Sequence, residues 1–211
     1  VPTCANTHNA MADHINNTAI TQKASLINAM QRAVTGDCIY FPEGNYSLGR
    51  IDQLNSYASG VSFIGPTVST ADGPIIPQNT GAVFTDDTDF IVRKDNTWFH
   101  GLHFKTDMHA LWLYGNNIKV TYNKFNGFGV GSQSVVNARP KAIKIFGDHA
   151  TVADNYFDGA LGVFTELAIG SVLNPNHWRG LDFTTVPEHA TIRNNNLTNL
   201  SLIHISEPTR R

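Results

Sequence analysis

Apolar residues between Asn17 and Val34 fall three and four positions apart, at Ile20, Ala24, Ile27, Met30 and Ala33 or Val34. That spacing keeps them on one side of a 3.6-residue period and predicts an amphipathic helix over 17–35, with Asn17 or Thr18 as N-cap and Gly36 as its end. Beyond Gly36 the period drops to two. Cys38 to Leu48 reads as a short strand, a turn built on Pro42 and Gly44, and a second strand, and everything after it reads as short strands.

From Asp89 onward the strand pattern repeats. The segments DFIVRKDNTWFHGLHFKT, ALWLYGNNIKVTYNKFNG, AIKIFGDHATVADNYFDG and GLDFTTVPEHATIRNNNLTN, starting at Asp89, Ala110, Ala142 and Gly180, align with four apolar columns. These are Phe90, Leu111, Ile143 and Leu181; Val92, Leu113, Ile145 and Phe183; Phe99, Val120, Val152 and Ile192; and Phe104, Phe125, Phe157 and Leu197. A fifth column holds Gly101, Asn123, Asn155 and Asn195. The basic unit is 21 residues, Phe104 to Phe125, and later units carry insertions at Phe128 to Pro140 and Leu161 to Trp178. Both insertions fall between the last strand of one unit and the first of the next. So short a unit cannot bury its own apolar side, whereas stacked copies turn each column into a ladder along the axis. The expectation is an all-β solenoid; a β-sandwich also uses short strands but needs no polar column held in phase.

The helix followed by Gly36-Asp-Cys-Ile-Tyr-Phe-Pro-Glu-Gly-Asn-Tyr46, together with the repeated Val-x-x-Asn-x-Phe, resembles the right-handed parallel β-helix proteins of the pectate-lyase-like superfamily. The resemblance covers about Asn17 to Asn199 and implies a single-stranded right-handed β-helix, with coils over 37–199 and the helix capping the N-terminal end. It also implies that the Asn column forms a ladder at the bend between the second and third strands, each Asn tolerating the unusual backbone there and bonding its counterpart one coil away. On this reading residues 1–199 are one domain. Leu200 to Arg210 resembles the conceptual translation of a transposase-end adapter used in sequencing-library preparation. Residues 200–211 are therefore set apart as a non-native tail, and the chain is expected to be a fragment truncated near Asn199 with its last apolar ladder uncapped.

Composition narrows the picture. Lys and Arg number 15 against 17 Asp and Glu, a net charge of −2, so there is no electrostatic case for a nucleic-acid binder. No apolar run reaches the roughly 18–20 residues that span a bilayer, and no membrane partner is expected. Hydrophobic residues make up 41% of the chain, enough for a core. Cys4 and Cys38 are the only cysteines, and the sequence leaves open whether they are bonded. His-Glu-x-x-His, Cys-x-x-Cys, Gly-x-x-x-x-Gly-Lys, Gly-x-Ser-x-Gly and Gly-x-Gly-x-x-Gly are all absent, which leaves zinc proteolysis, nucleotide hydrolysis, α/β-hydrolase and Rossmann chemistry unsupported.

Candidate chemistry lies between the inward pairs. Residues there point outward, giving the column Ile91, Trp112, Lys144, Asp182 on the first strand of each unit, and the resemblance implies that sugars bind on this side. Trp112 offers a flat face to a pyranose ring, Lys144 a charge partner or proton-transfer group, and Asp182 an acid, base or ion ligand. The alternative is a surface Lys–Asp pair beside a Trp packed under a loop. His109, Lys141 and Arg179, with Trp178 and His177 at the rim, place a basic residue at the start of that strand in three units, suited to carboxylates or sulfates. Solvated residues on a polar edge are the other reading. His149 and His189, in register with Asn117 and Asn96, read as turn residues stacked coil on coil. Asp86-Asp87-Thr88-Asp89 is a candidate calcium cluster, though it lacks a full loop signature and reads first as an acidic turn.

With these residues, the resemblance implies an extracellular, secreted carbohydrate-active protein, a lyase-type enzyme for an acidic polysaccharide with calcium as the cofactor to test. Elimination needs a cationic base beside further cations, whereas hydrolysis needs two facing carboxylates and only Asp182 is at hand. A non-catalytic glycan binder, a tailspike-like fibre at a virion surface or an adhesin, is the alternative. The resemblance to tailspikes would make that one a trimer.

Overall fold

The computed structural model describes residues 1–13, 18–52, 57–70, 73–75, 81–86, 88–106, 109–126, 141–158, 167–169 and 189–198. Three parallel sheets and one helix account for nearly all of its regular structure. Face A contains Thr7–Asn9, Cys38–Tyr40, Ser62–Ile64, Trp98–His100, Lys119–Thr121, Thr151–Ala153 and Thr191–Arg193. Face B contains Gly44–Tyr46, Ala82–Asp86, His103–Thr106, Lys124–Asn126, Tyr156–Asp158 and Asn196–Thr198, and face C contains Arg50–Asp52, Asp89–Val92, His109–Leu113, Lys141–Ile145 and Leu167–Ile169. From Cys38 the chain visits A, then B, then C, and returns to A, and each new strand pairs in parallel with the strand of the previous pass. The result is an all-β, solenoid-like stack. An antiparallel hairpin, Val68–Thr70 with Gly73–Ile75, lies in the chain between Ser62–Ile64 of face A and Ala82–Asp86 of face B. Among the described residues no helix is long and apolar enough to cross a membrane.

The ladders follow from the register. Phe63, Phe99, Val120 and Val152 are aligned on face A, and Tyr46, Phe84, Phe104, Phe125 and Phe157 on face B. Successive ring centroids from Tyr46 to Phe157 lie 5.8, 5.1, 5.1 and 4.8 Å apart. These rings are buried, at roughly 1.5–3 kcal/mol each by transfer of apolar surface from water. The stack thus extends two passes before Asp89, through segments that lack the repeat's motif.

Two polar bends lock the coils together. At the A-to-B bend the Leu102, Asn123 and Asn155 N–H groups donate to the Oδ1 of Asn123, Asn155 and Asn195 at 3.0, 2.9 and 3.0 Å. The Nδ2 of Asn123, Asn155 and Asn195 donates to the carbonyls of Phe99, Val120 and Val152 at 3.1, 2.9 and 2.9 Å. The register corrects the first member of this column: Leu102 stands there, and Gly101 is one residue earlier. The left-handed backbone also belongs to the earlier residue, Gly101, Tyr122, Asp154 and Asn194, and not to the ladder Asn. At the turn that enters face A, Gly36, Gly60, Asn96, Asn117, His149 and His189 repeat one left-handed position, and the last two rings lie 4.9 Å apart. The stacked-turn reading of these histidines and asparagines agrees with that geometry.

The helix spans Ala19–Arg32, with Thr18 as N-cap in a capping box with Thr21. It ends before the expected boundary, capped by Ala33, and Gly36 serves the turn ladder instead. Its buried side is Gln22, Ser25, Leu26, Ala29 and Met30, whereas Ile20 is 82% exposed and Ala24 exposed. The face is rotated from the expected one because two polar residues pack inward with bonds: Gln22 Nε2 donates to the Asn45 carbonyl at 3.3 Å, and Ser25 Oγ accepts from the Asp13 N–H at 3.0 Å.

Before the helix, Thr7–Asn9 pairs with Cys38–Tyr40, a strand that the pattern did not suggest. The Cys4–Cys38 disulfide fastens it. Asp37 accepts from Asn6 Nδ2 at 2.9 Å and from the Val34 N–H at 3.0 Å, and its carboxylate meets His8 Nε2 at 2.8 Å. These bonds, the Val34 amide first, hold its carboxyl well below the usual range. Residues 199–211, including the adapter-like tail, lie outside the described residues.

Candidate functional site

Face C carries the column singled out from the sequence. Inward residues Phe90, Leu111 and Ile143 are fully buried, and the alternate positions Ile91, Trp112 and Lys144 stand side by side on the other side of the sheet. The preceding strand adds Asp52 beside Ile91. After Lys144 the register places Ala168, not Asp182. The strand after Lys141–Ile145 on face C is Leu167–Ile169, inside what the repeat treats as an insertion, because Leu-Ala-Ile and Leu181-Asp182-Phe183 offer the same apolar-x-apolar pattern. Asp182, Trp178 and Arg179 lie outside the described residues. His109 and Lys141 are register partners on adjacent strands.

The outward column is not an open aromatic platform. Trp112 and Lys144 are each only 5% exposed and His109 is 6% exposed. The Lys144 ammonium lies 4.0 Å from the Trp112 ring centroid and the Arg50 guanidinium 5.8 Å, so cations from two other coils approach the one ring. The His109 ring meets Trp112 edge-on at 5.0 Å.

A second row runs alongside it. Tyr114 and Phe146 stack nearly parallel with centroids 4.5 Å apart, and the Arg93 guanidinium lies 5.1 Å from the Tyr114 ring. Glycines next to these rings let the turns nest: a Cβ on Gly147 would come within 2.0 Å of the Gly115 carbonyl oxygen. Burial pushes the Tyr114 phenol above its ordinary pKa, and its hydroxyl is buried without a hydrogen-bond partner among the described residues.

Crossed ion pairs tie the first two strands of face C. Arg50 donates to both Asp89 oxygens, at 3.2 and 3.0 Å from Nε and 2.9 Å from Nη2. Arg93 donates to Asp52 at 3.0 and 3.3 Å. These bonds hold both guanidiniums more firmly protonated than usual. Asp89 of the candidate calcium cluster is thus bonded to Arg50, and Thr88 Oγ1 accepts from the Leu48 N–H at 2.9 Å, while Asp87 lies outside the described residues. Among the described residues no three His, Cys, Asp or Glu side chains gather to hold a metal ion.

Sequence reasoning missed Arg50, Asp52, Arg93, Tyr114 and Phe146. The last three were visible as a column just after the second inward residue of each unit; the first two lie in a strand outside the repeat. The arrangement sets cations against aromatic rings, with Arg50 and Arg93 each paired to a carboxylate and Trp112 and Lys144 buried. No protein-family model, curated protein or solved structure matches the chain.

Proposed function

We propose that the chain is a right-handed, single-stranded parallel β-helix of the pectate-lyase-like kind and that the outer side of face C binds an acidic polysaccharide. The observation that carries this is the pairing of cations with ring planes along that face, Arg50 and Lys144 on Trp112 and Arg93 on Tyr114, in a chain whose net charge is −2. A uronate chain has carboxylates for the cations and sugar faces for the partly exposed rings of Tyr114 and Phe146. The Cys4–Cys38 disulfide supports an oxidising, extracellular setting.

The reaction proposed is β-elimination. A base removes the C5 proton, the electron pair forms a C4–C5 double bond, the C4–O bond breaks, and the departing oxygen takes a proton. Lys144, as the neutral amine, is assigned the C5 proton and becomes the ammonium, water supplies the proton to the departing oxygen, and Arg50 with the His109–Lys141 edge neutralises the carboxylate; Arg179, Trp178 and Asp182 extend the same reading. One observation favours a second reading, a non-catalytic glycan binder: Lys144 is 5% exposed and its ammonium is already engaged with Trp112.

The test is a screen of pectate, alginate and hyaluronan, following unsaturated product at about 235 nm with calcium and then with chelator. Absorbance that disappears in Lys144→Ala establishes elimination at this face. Binding without product, weakened in Trp112→Ala, establishes the binder. Neither binding nor product removes the proposal.

A further inference from the structure

A groove of about 460 Å³ lies between the helix and the strand Arg50–Asp52, lined by Lys23, Ile27, Met30, Gln31, Arg50 and Asp52. We infer that it is the terminal position of the face C track and holds a carboxylated or sulfated sugar unit at one end of the polysaccharide. This rests on the reading that face C binds such a chain.

Continuity is the first ground. Arg50 belongs both to this groove and to the Trp112 cluster, and Asp52 both to the groove and to the column of Ile91, Trp112 and Lys144. Asp52, whose side chain is 32% exposed, is where the largely buried column meets the groove. Size is the second, since roughly 300–1,000 Å³ is the range of small-ligand pockets.

Charge is the third. Asp52 and Asp89 are matched by Arg93 and Arg50, so Lys23 is a cation in excess on this stretch. Its Nζ donates to the Arg50 carbonyl at 2.7 Å, which fixes the ammonium at the groove edge and leaves further N–H donors to meet an anion. Partly buried Ile27 and buried Met30 supply an apolar floor for a ring face. The charge requirement admits carboxylate and sulfate alike, and paired probes separate them.

The experiment is calorimetric titration of the whole chain with oligogalacturonates, and in parallel with sulfated galactan oligosaccharides, from two to eight units long. Affinity should climb with length and then level off, and the better-bound series identifies the anion. Lys23→Ala and Gln31→Trp, the second filling the groove, should weaken the longest oligomers about ten-fold and leave the shortest unchanged. Lys144→Ala should weaken every length. Unaltered thermal melting of Gln31→Trp shows that the loss comes from the groove. If both groove variants match the parent at every length while Lys144→Ala loses affinity, the terminal position is overturned and face C stands. If the parent binds neither series, the terminal position falls, and face C falls with it when alginate and hyaluronan are not bound either.

Discussion

Along face C, Phe90, Leu111 and Ile143 point into the stack while their strand neighbours Ile91, Trp112 and Lys144 point away from it, and both sets are buried. On the inner side each residue meets one of its own kind a coil away. On the outer side no two neighbours share a chemistry, and contacts run diagonally: Arg50 reaches Trp112 across the intervening strand. The inner side needs only volume and repetition, so the stack tolerates any aliphatic or aromatic of suitable size. The outer side depends on which residue sits beside which.

The comparison is tested most severely by truncating a ladder residue. Phe125→Ala opens a cavity between Phe104 and Phe157, whose rings lie 5.1 and 4.8 Å from it, and should cost about 3–5 kcal/mol in denaturant unfolding. Trp112→Leu, a substitution of similar bulk on the outer side, should cost much less and show its main effect in glycan affinity. Equal losses for the two would erase the distinction.

Next in size is the polar ladder. Asn155 Oδ1 accepts from the Asn123 N–H, and its Nδ2 donates to the Val120 carbonyl, all buried. Asn155→Ala strands both groups and should cost about 2–3 kcal/mol. Asn195→Ala, at a partly buried position nearer water, should cost less. Hydrogen exchange of the Asn123 amide reads the same loss locally, and an unchanged rate in Asn155→Ala contradicts the ladder.

What was legible in the sequence follows the same division. Val-x-x-Asn-x-Phe recurs because each ladder residue needs its like, and that recurrence revealed the stack and its register. The slip between Gly101 and Leu102 arose where the ladder ends: Leu102 needs only its N–H to bond Asn123, so its side chain is free to be apolar. The helix face was misread because hydropathy treats Gln22 and Ser25 as exposed, while bonds to Asn45 and Asp13 let both be buried. Asp182 was placed beside Lys144 because Leu167-Ala-Ile169 and Leu181-Asp-Phe183 have the same alternation, and alternation carries no information about which one pairs. Arg50 and Asp52 flank Ile51 in a strand without the repeat's motif, so their meeting with Asp89 and Arg93 had no sequence signal.

A smaller effect comes from the outer side of face A. His100 is 1% exposed, its Nδ1 lies 2.9 Å from Thr121 Oγ1, and its ring meets Trp98 and Tyr122 edge-on at 5.9 and 5.4 Å. Burial lowers its pKa to about 4, against about 6.5 for an unfolded histidine. The unfolded chain therefore takes up the proton first. The stability contributed by neutral His100 is complete above about pH 6.5 and is lost as pH falls towards 4. His100→Leu should flatten the decline between those values, and an identical pH profile in the variant would show that His100 does not drive it.

The smallest effect on stability is expected from the more exposed carboxylate's ion pair, Arg93 with Asp52, although it is a conspicuous contact on the site. Arg93 and Asp52 are each 32% exposed, so water screens their attraction, and ordering two side chains offsets part of what remains. A double-mutant cycle with Asp52→Ala and Arg93→Ala should give a coupling of about 0.2–1 kcal/mol, shrinking in high salt. The same Arg93→Ala change removes the cation over Tyr114, so acidic-oligosaccharide affinity should fall several-fold while the melting temperature barely moves. A coupling of several kcal/mol would instead make the pair a structural staple, and the outer side of face C would then serve the stack as the inner side does.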